Sequence, residues 1–477
     1  MTNPLIPPPL PSRSRPTPTA DVALSEVLGA LSYALDLTEG QRPGHTLRAC
    51  AIGMRLGAEI GLGTADLTAL YFALLLKDAG CSSNAARMAA LFGSDDRAVK
   101  HSLKLVDWHA RLALATATWR VSGSGRGLRA RTRHFLTVAR TEHATRDFMA
   151  VRCDRGASIA LRLGFPPETA AAIRSLDEHW NGQGYAEGLA GERIPLLARI
   201  CNIAQVAEAF YGDGGVDAAV NVVRARRGRW FDPALSWILI SWRRDQRWWA
   251  RLADADSLGA MVRSLEPGTQ ALKVDDDGLD NVARAFADII DAKSPYTFRH
   301  STNVARYAVG VGAEMGLDAQ AQRRLLRAGL LHDVGKLGVS NTVLDKPGAL
   351  TPGERAEVER HPQYTWEILQ RVQAFQGFAR LAAVHHERLD GRGYPWGIGA
   401  AELDREARAL CVADVYEALT ADRPYRAGMA PEDALAIMRR DAPHWLCADA
   451  VDAVEAYSLR IAAPVRDTES ATERIAS

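Results

Sequence analysis

The chain has 477 residues, 47% of them hydrophobic and 24% charged, and its 58 Lys and Arg against 57 Asp and Glu leave a net charge of +1. That length supports two or three domains with proper cores, and the near-neutral balance argues against binding to nucleic-acid polymers. No apolar stretch reaches a membrane span, because the longest, PALSWILISW, is cut short by Arg243-Arg244.

Residues 1–20 are rich in Pro, Ser and Thr, which predicts an extended, mobile tail. The tail lacks the apolar core of a signal peptide, so a cytoplasmic location is expected. From residue 21 the text reads as helix nearly throughout, and strand patterns are scarce, which predicts the all-α class. The segment VSGSGRGLRARTRH marks an exposed loop followed by a solvated basic face. Trp237, Trp242, Trp248 and Trp249 crowd residues 228–252, where a helix docking one domain on another is expected in preference to a membrane contact. Residues 253–281, with Pro267-Gly268 and the acidic run Asp275 to Asp277, read as a linker. In STNVARYAVGVGAEMG the residues Val304, Tyr307, Ala308, Val311 and Met315 recur at helical spacing and leave His300 at the helix start. RLLRAGLLHDVGK is predicted to stay helical up to Gly335. Residues 461–477 are a polar tail. The six cysteines show no paired spacing and lie in apolar helical text, as buried reduced thiols do.

Chemistry concentrates in the second half. Of twelve histidines, six lie beyond residue 299, and all but His444 fall in His300, His332-Asp333, His361 or His385-His386, with Asp414 downstream. Neutral imidazoles and carboxylates suit Mn, Fe, Zn or Co, and the set is large enough for two ions sharing a carboxylate. Cysteine is absent from the cluster, which points to an open site capable of hydrolysis and away from a structural zinc site. Lys336, Arg423 and Arg426 offer cations for phosphate oxygens.

The strings HDVGKLGVSNTVLDKPGALTPGE, ERH, HHERLDGRGYPWG and VADVYEALTADRPYR resemble the HD-GYP branch of the HD phosphohydrolase superfamily over about residues 282 to 445. The resemblance implies an all-helical domain and a phosphodiesterase that opens cyclic di-GMP to the linear dinucleotide, with GMP as a further product. It implies a two-metal centre, Fe or Mn before others. One ion is held by His300, His332, Asp333 and Asp414, the other by Asp333, His361, His385 and His386. A hydroxide bridging such metals is the expected nucleophile toward phosphorus. Asp333 and Lys336 are the expected catalytic residues; Lys336, Gly393, Tyr394, Pro395, Arg423 and Arg426 are expected to bind substrate. Members that hold a third metal carry Glu four residues before the first His, where this chain has Tyr296. Thr365 stands where Gly is frequent, which predicts a locally tighter backbone. Gly391 and Gly393 are expected to supply the turn that aims Tyr394 and Pro395. Other cyclic dinucleotides or nucleotides, and a cyclic di-GMP receptor with little turnover, are the alternatives.

The first half reads as a worn copy of the second. His45 stands 32 positions before Lys77-Asp78 and His300 stands 32 before His332-Asp333, while Asn181 and Asp390 each stand 24 before Gln205 and Asp414. Lys77, Arg152, Leu176-Asp177 and Gln205 replace the first-motif His, His361, the paired histidines and the late Asp. The expected architecture is two tandem HD-type helical domains, the second an HD-GYP domain: 21–252 non-catalytic and 282–460 catalytic. The first is expected either to sense a signal, meet a signalling partner or support a homodimer, or to be a purely architectural relic. Between the aligned anchors it carries 46 extra residues, within about 82 to 170.

Overall fold

A computed structural model describes residues 22–141, 144–185, 187–268, 273–422 and 427–462. The N-terminal tail, residues 463–477 and the substrate-binding candidates Arg423 and Arg426 lie outside them, and residues 461–462, expected in the C-terminal tail, end a helix. The all-α expectation holds. Among the described residues, strands are limited to Val22–Ala23 paired antiparallel with Lys273–Val274, beside one isolated bridge between Arg227 and Phe231. Among the described residues, no helix is long and apolar enough to cross a membrane. All six cysteines are unpaired and buried.

The chain forms two compact units. The larger holds the described residues up to Ser301 together with Leu331–Ala383; the smaller holds Thr302–Leu330 and the described residues from Val384 onward.

In the larger unit, helices α1 (Leu24–Thr38), α2 (His45–Glu59) and α3 (Thr64–Leu76) pack on one another. From Ala69 to Leu76, α3 is buried on every side, which fits a run of leucines and aromatics with no polar face. Burial of each such side chain contributes about 1.5–3 kcal/mol. Gly53 lets α2 approach, since a Cβ there would lie 2.5 Å from Leu74 Cδ1. The extra residues form helices Arg111–Val121 and Leu128–Arg140, closed over a small core of Met88, Phe92, Val99 and Val121. The first of them packs on α4 (Asp96–Lys104), the helix in front of them, and α5 (Leu196–Arg226), broken by a kink at Gly214-Gly215, packs on α2 beyond.

The Trp-rich segment departs from its expected role, because it packs on α2 and builds the first half's own core. Trp242 and Trp249 are buried, Trp242 donates to Glu59 at 3.0 Å, and the Arg55 guanidinium stands 4.3 Å from the Trp242 ring centroid. Within the segment read as a linker, helix Ala255–Arg263 buries Leu258, Met261 and Val262 and also packs on α2.

Helix α6 (Asp276–Asp291) leads to α7 (His300–Glu314), which His300 begins after Arg299, a residue held at φ +59°. The helix before His332 ends at Leu331, short of the predicted Gly335, and Val334–Gly338 is a 3-10 turn. The reason is steric: a Cβ on Gly335 would lie 1.9 Å from His361 O, so Gly335 is the contact point for α8 (His361–Leu369) and not a helix terminator. In the smaller unit, α9 (Arg405–Thr420) packs on helices Pro431–Asp441 and Ala448–Ala462, and Tyr307 meets Tyr416 edge-on with centroids 5.0 Å apart.

Candidate metal centre

Four of the expected ligands meet inside the larger unit. The start of α7 supplies His300, the turn after Leu331 supplies His332 and Asp333, and the start of α8 supplies His361, all buried. Three imidazole Nε2 atoms converge on the Asp333 carboxylate: His300 at 3.3 Å and His332 at 3.2 Å face Oδ2, and His361 at 3.3 Å faces Oδ1. Lys336 Nζ reaches Oδ2 at 2.5 Å from a partly exposed position. Burial drives the Asp333 carboxyl up, yet His332, Lys336 and hydrogen bonds from His300 outweigh it and hold it well below the ordinary carboxylate range. Burial lowers His361, which favours the neutral, ligating imidazole against the pull of Asp333.

Neighbouring groups fix these ligands. His361 Nδ1 lies 2.6 Å from Val358 O, which leaves Nε2 for the cluster. Thr365, in place of the frequent Gly, donates from Oγ1 to His332 O at 2.7 Å and accepts from Gly335 N at 3.0 Å. The expected tightening is therefore a hydroxyl clamp across the His332–Gly335 turn. The donor set fits divalent metals: imidazole nitrogens at two oxygens of one buried carboxylate, with the atoms of His300, His332 and Asp333 within 4.8 Å of one another.

The smaller unit holds His385, His386 and Asp414. The two imidazole centroids are 4.1 Å apart, and His386 Nδ1 lies 3.9 Å from Asp414 Oδ2 on α9. Tyr394 packs its ring on His386 with centroids 4.8 Å apart, next to a cis bond to Pro395. Gly391 adopts φ +71° as expected, but Gly393 does not take a positive φ. Its glycine is required by close approach, since a Cβ would meet Glu387 Cα at 2.5 Å. Glu387 accepts from Trp396 N at 2.8 Å and Ile398 N at 3.1 Å and thereby secures the loop.

The sequence reading overlooked Glu387, although a signal existed. Glu178 in the first half accepts from Glu187 N at 2.6 Å and Gly188 N at 2.9 Å, and both glutamates stand three residues before Asn181 or Asp390.

The first half places cations where ligands would be. Lys77 Nζ is 3.1 Å from His45 Nε2 and bonds Asp78 Oδ2, while His45 Nδ1 pairs with Glu208. Burial lowers His45 to about 4, helped by Lys77 and Lys104 and opposed by Glu208, so its ring is neutral and accepts from Lys77. Glu39, Asp78 and Cys81 also cluster, but Lys104 Nζ lies 3.3 Å from Glu39 and 3.9 Å from Asp78, and burial pushes the Cys81 thiol well up. Arg152 pairs with Asp177 at 2.5 Å, and Gln205 donates to Asp177 at 3.3 Å. A Cβ on Gly80 would meet Arg152 O at 1.9 Å, the same approach that Gly335 makes to His361 O.

The HD domain family model matches residues 138–235 and 284–449, together more than half of the chain. A Vibrio cholerae protein named 3'3'-cGAMP-specific phosphodiesterase 3 is 41% identical over 419 residues, 88% of this chain and 91% of that one. A cyclic di-GMP phosphodiesterase of Pseudomonas aeruginosa is 39% identical over 143 residues, 29% of this chain and 34% of its own length. The crystal structure of a V. cholerae phosphodiesterase described as specific for cyclic GMP-AMP aligns at a TM-score of 0.63 and 36% identity, over 93% of this chain and 99% of that one. The chain belongs to the HD-domain family, in its HD-GYP branch.

Proposed function

We propose that the protein is a metal-dependent phosphodiesterase that opens a cyclic dinucleotide to its linear form. The observation that carries this reading is the convergence of three imidazoles and Lys336 on the single buried carboxylate of Asp333. In this proposal His300, His332, Asp333 and Asp414 hold one divalent ion and Asp333, His361, His385 and His386 the other, with Fe or Mn favoured. Bound ions of this kind supply positive charge and acidify water.

The chain's own residues do the rest. Asp333 presents both oxygens, and Thr365 and Val358 fix the backbone and ring angles of His332 and His361. Lys336, partly exposed, turns from Asp333 to an equatorial phosphate oxygen as negative charge grows there. Gly393, Tyr394 and Pro395 form the rim that meets a base or ribose, and Arg423 and Arg426 meet phosphate. Residues 282–460 form the catalytic domain in this reading. Residues 21–252 are a non-catalytic copy, a reading supported by the matched approaches of Gly80 and Gly335.

For the substrate, 3'3'-cGAMP ranks ahead of cyclic di-GMP, because the relative named for it matches over most of both chains while the Pseudomonas cyclic di-GMP enzyme matches over less than a third of this one. Purified protein loaded with Mn²⁺ or Fe²⁺ and given each compound separates the two. Hydrolysis of neither, with metal demonstrably bound, would refute the proposal.

A further inference from the structure

A cavity in the first half is lined by Trp108, His179 and Trp230 together with apolar, charged and amide side chains. His179 stacks on Trp230 with centroids 3.9 Å apart, and Trp108 lies 5.0 Å from Trp230. Burial, aided by His109, drives His179 down to about 3, so this wall is uncharged. Four buried polar atoms of lining residues lack a hydrogen-bond partner: the donors Arg152 Nε and Trp230 Nε1, and the acceptors Asn84 Oδ1 and Gln205 Oε1. Each residue is at most 7% exposed. Leaving one such atom unmade costs about 1–3 kcal/mol, and four around one cavity need a common cause.

We propose that this cavity is a second, non-catalytic site that takes the base of a purine mononucleotide. A heteroaromatic base offers acceptors to Arg152 and Trp230, donors to Asn84 and Gln205, and a face to Trp108, since His179 and Arg226 cover the Trp230 ring. The cavity's empty space, counted out to its open mouth, is ≈ 600 Å³. That leaves room for one bicyclic base, with ribose and phosphate toward the mouth. The site is independent of which substrate the second half hydrolyses.

Isothermal titration of the metal-free full chain with AMP and with GMP tests the site. One of the two should bind at a single locus that Asp333→Asn leaves in place. Gln205→Met, which keeps bulk but removes the amide, should weaken it at least about tenfold. Trp108→Leu, on the half-buried part of the wall, should do the same and decides the matter if Gln205→Met melts early. No binding at millimolar nucleotide, binding indifferent to the folded variants, or a crystal structure with ordered water alone on the four polar atoms would overturn the proposal.

Discussion

Asp333 is the residue on which most of the site depends, because each of its oxygens already faces imidazole nitrogen. Asp333→Asn replaces one oxygen with a donor that repels both metal and protonated neighbours. Loss of a bound ion by elemental analysis, and a fall in turnover beyond the about 10- to 100-fold typical of outer partners, are expected. Thr365→Val isolates one such outer partner. It preserves shape but leaves His332 O and Gly335 N without the hydroxyl, so stability should drop by about 1–3 kcal/mol in denaturant titration, and metal affinity should fall with it. The ligand types were legible from sequence because metals need particular atoms, and those atoms belong to few residue types. Glu387 was harder to see, since a carboxylate that secures backbone N–H groups has no local pattern; its only trace is the matching Glu178.

At the scale of elements, α4 secures the segment that follows the Asp333–Lys336 turn. Asp96 accepts from Asn341 N at 3.0 Å and pairs with Lys100 at 3.6 Å and with the fully buried Lys293 at 3.5 Å. Arg97 donates to Gly338 O and meets Glu357 at 3.2 Å. Burial lowers Lys293 to about 8 despite the pull of Asp96. Between pH 8 and the ordinary lysine value of 10.5, the unfolded chain therefore binds more protons than the folded one, and stability should rise with pH across that window. Lys293→Met should flatten that rise in melts collected from pH 7.5 to 10. Asp96→Ala should cost about 3–5 kcal/mol, because it strands a buried charge, and the double variant with Lys293→Met should recover part of that loss. None of this was readable beforehand. Asp96 and Lys293 are almost 200 positions apart in ordinary polar text, and only tertiary packing brings them together. Helix existence, by contrast, followed from apolar spacing, and the misplaced end at Gly335 arose because a glycine required by the α8 contact looks the same in sequence as one that stops a helix.

For the whole molecule, the boundary expected from sequence and the compact units divide the chain differently. The sequence draws its line through residues 253–281, yet the larger unit runs through that stretch and takes in Leu331–Ala383, with the turn that carries Asp333 and the helix that carries His361. Helix α1 packs on the 334–338 turn and on α8, and Arg155 and Arg162 bond α6 through Asp288. A fragment of residues 282–460 would lose these contacts and expose the apolar faces beneath them. It should therefore show no cooperative melt and bind metal more weakly than the full chain, whereas Asp78→Asn in the full chain should lower the melting temperature and leave metal content unchanged. The pairing of the two results is informative. A fragment that folded and held metals normally would show the first half to be a detachable appendage. Loss of metal in a folded Asp78→Asn chain would mean that the Lys77–Asp78 pair serves the metal site itself. If both expectations hold, the first half has lost its own ligands but still shapes the site, with the cation of Lys77 holding His45 and Asp78 together where its counterpart relies on metal.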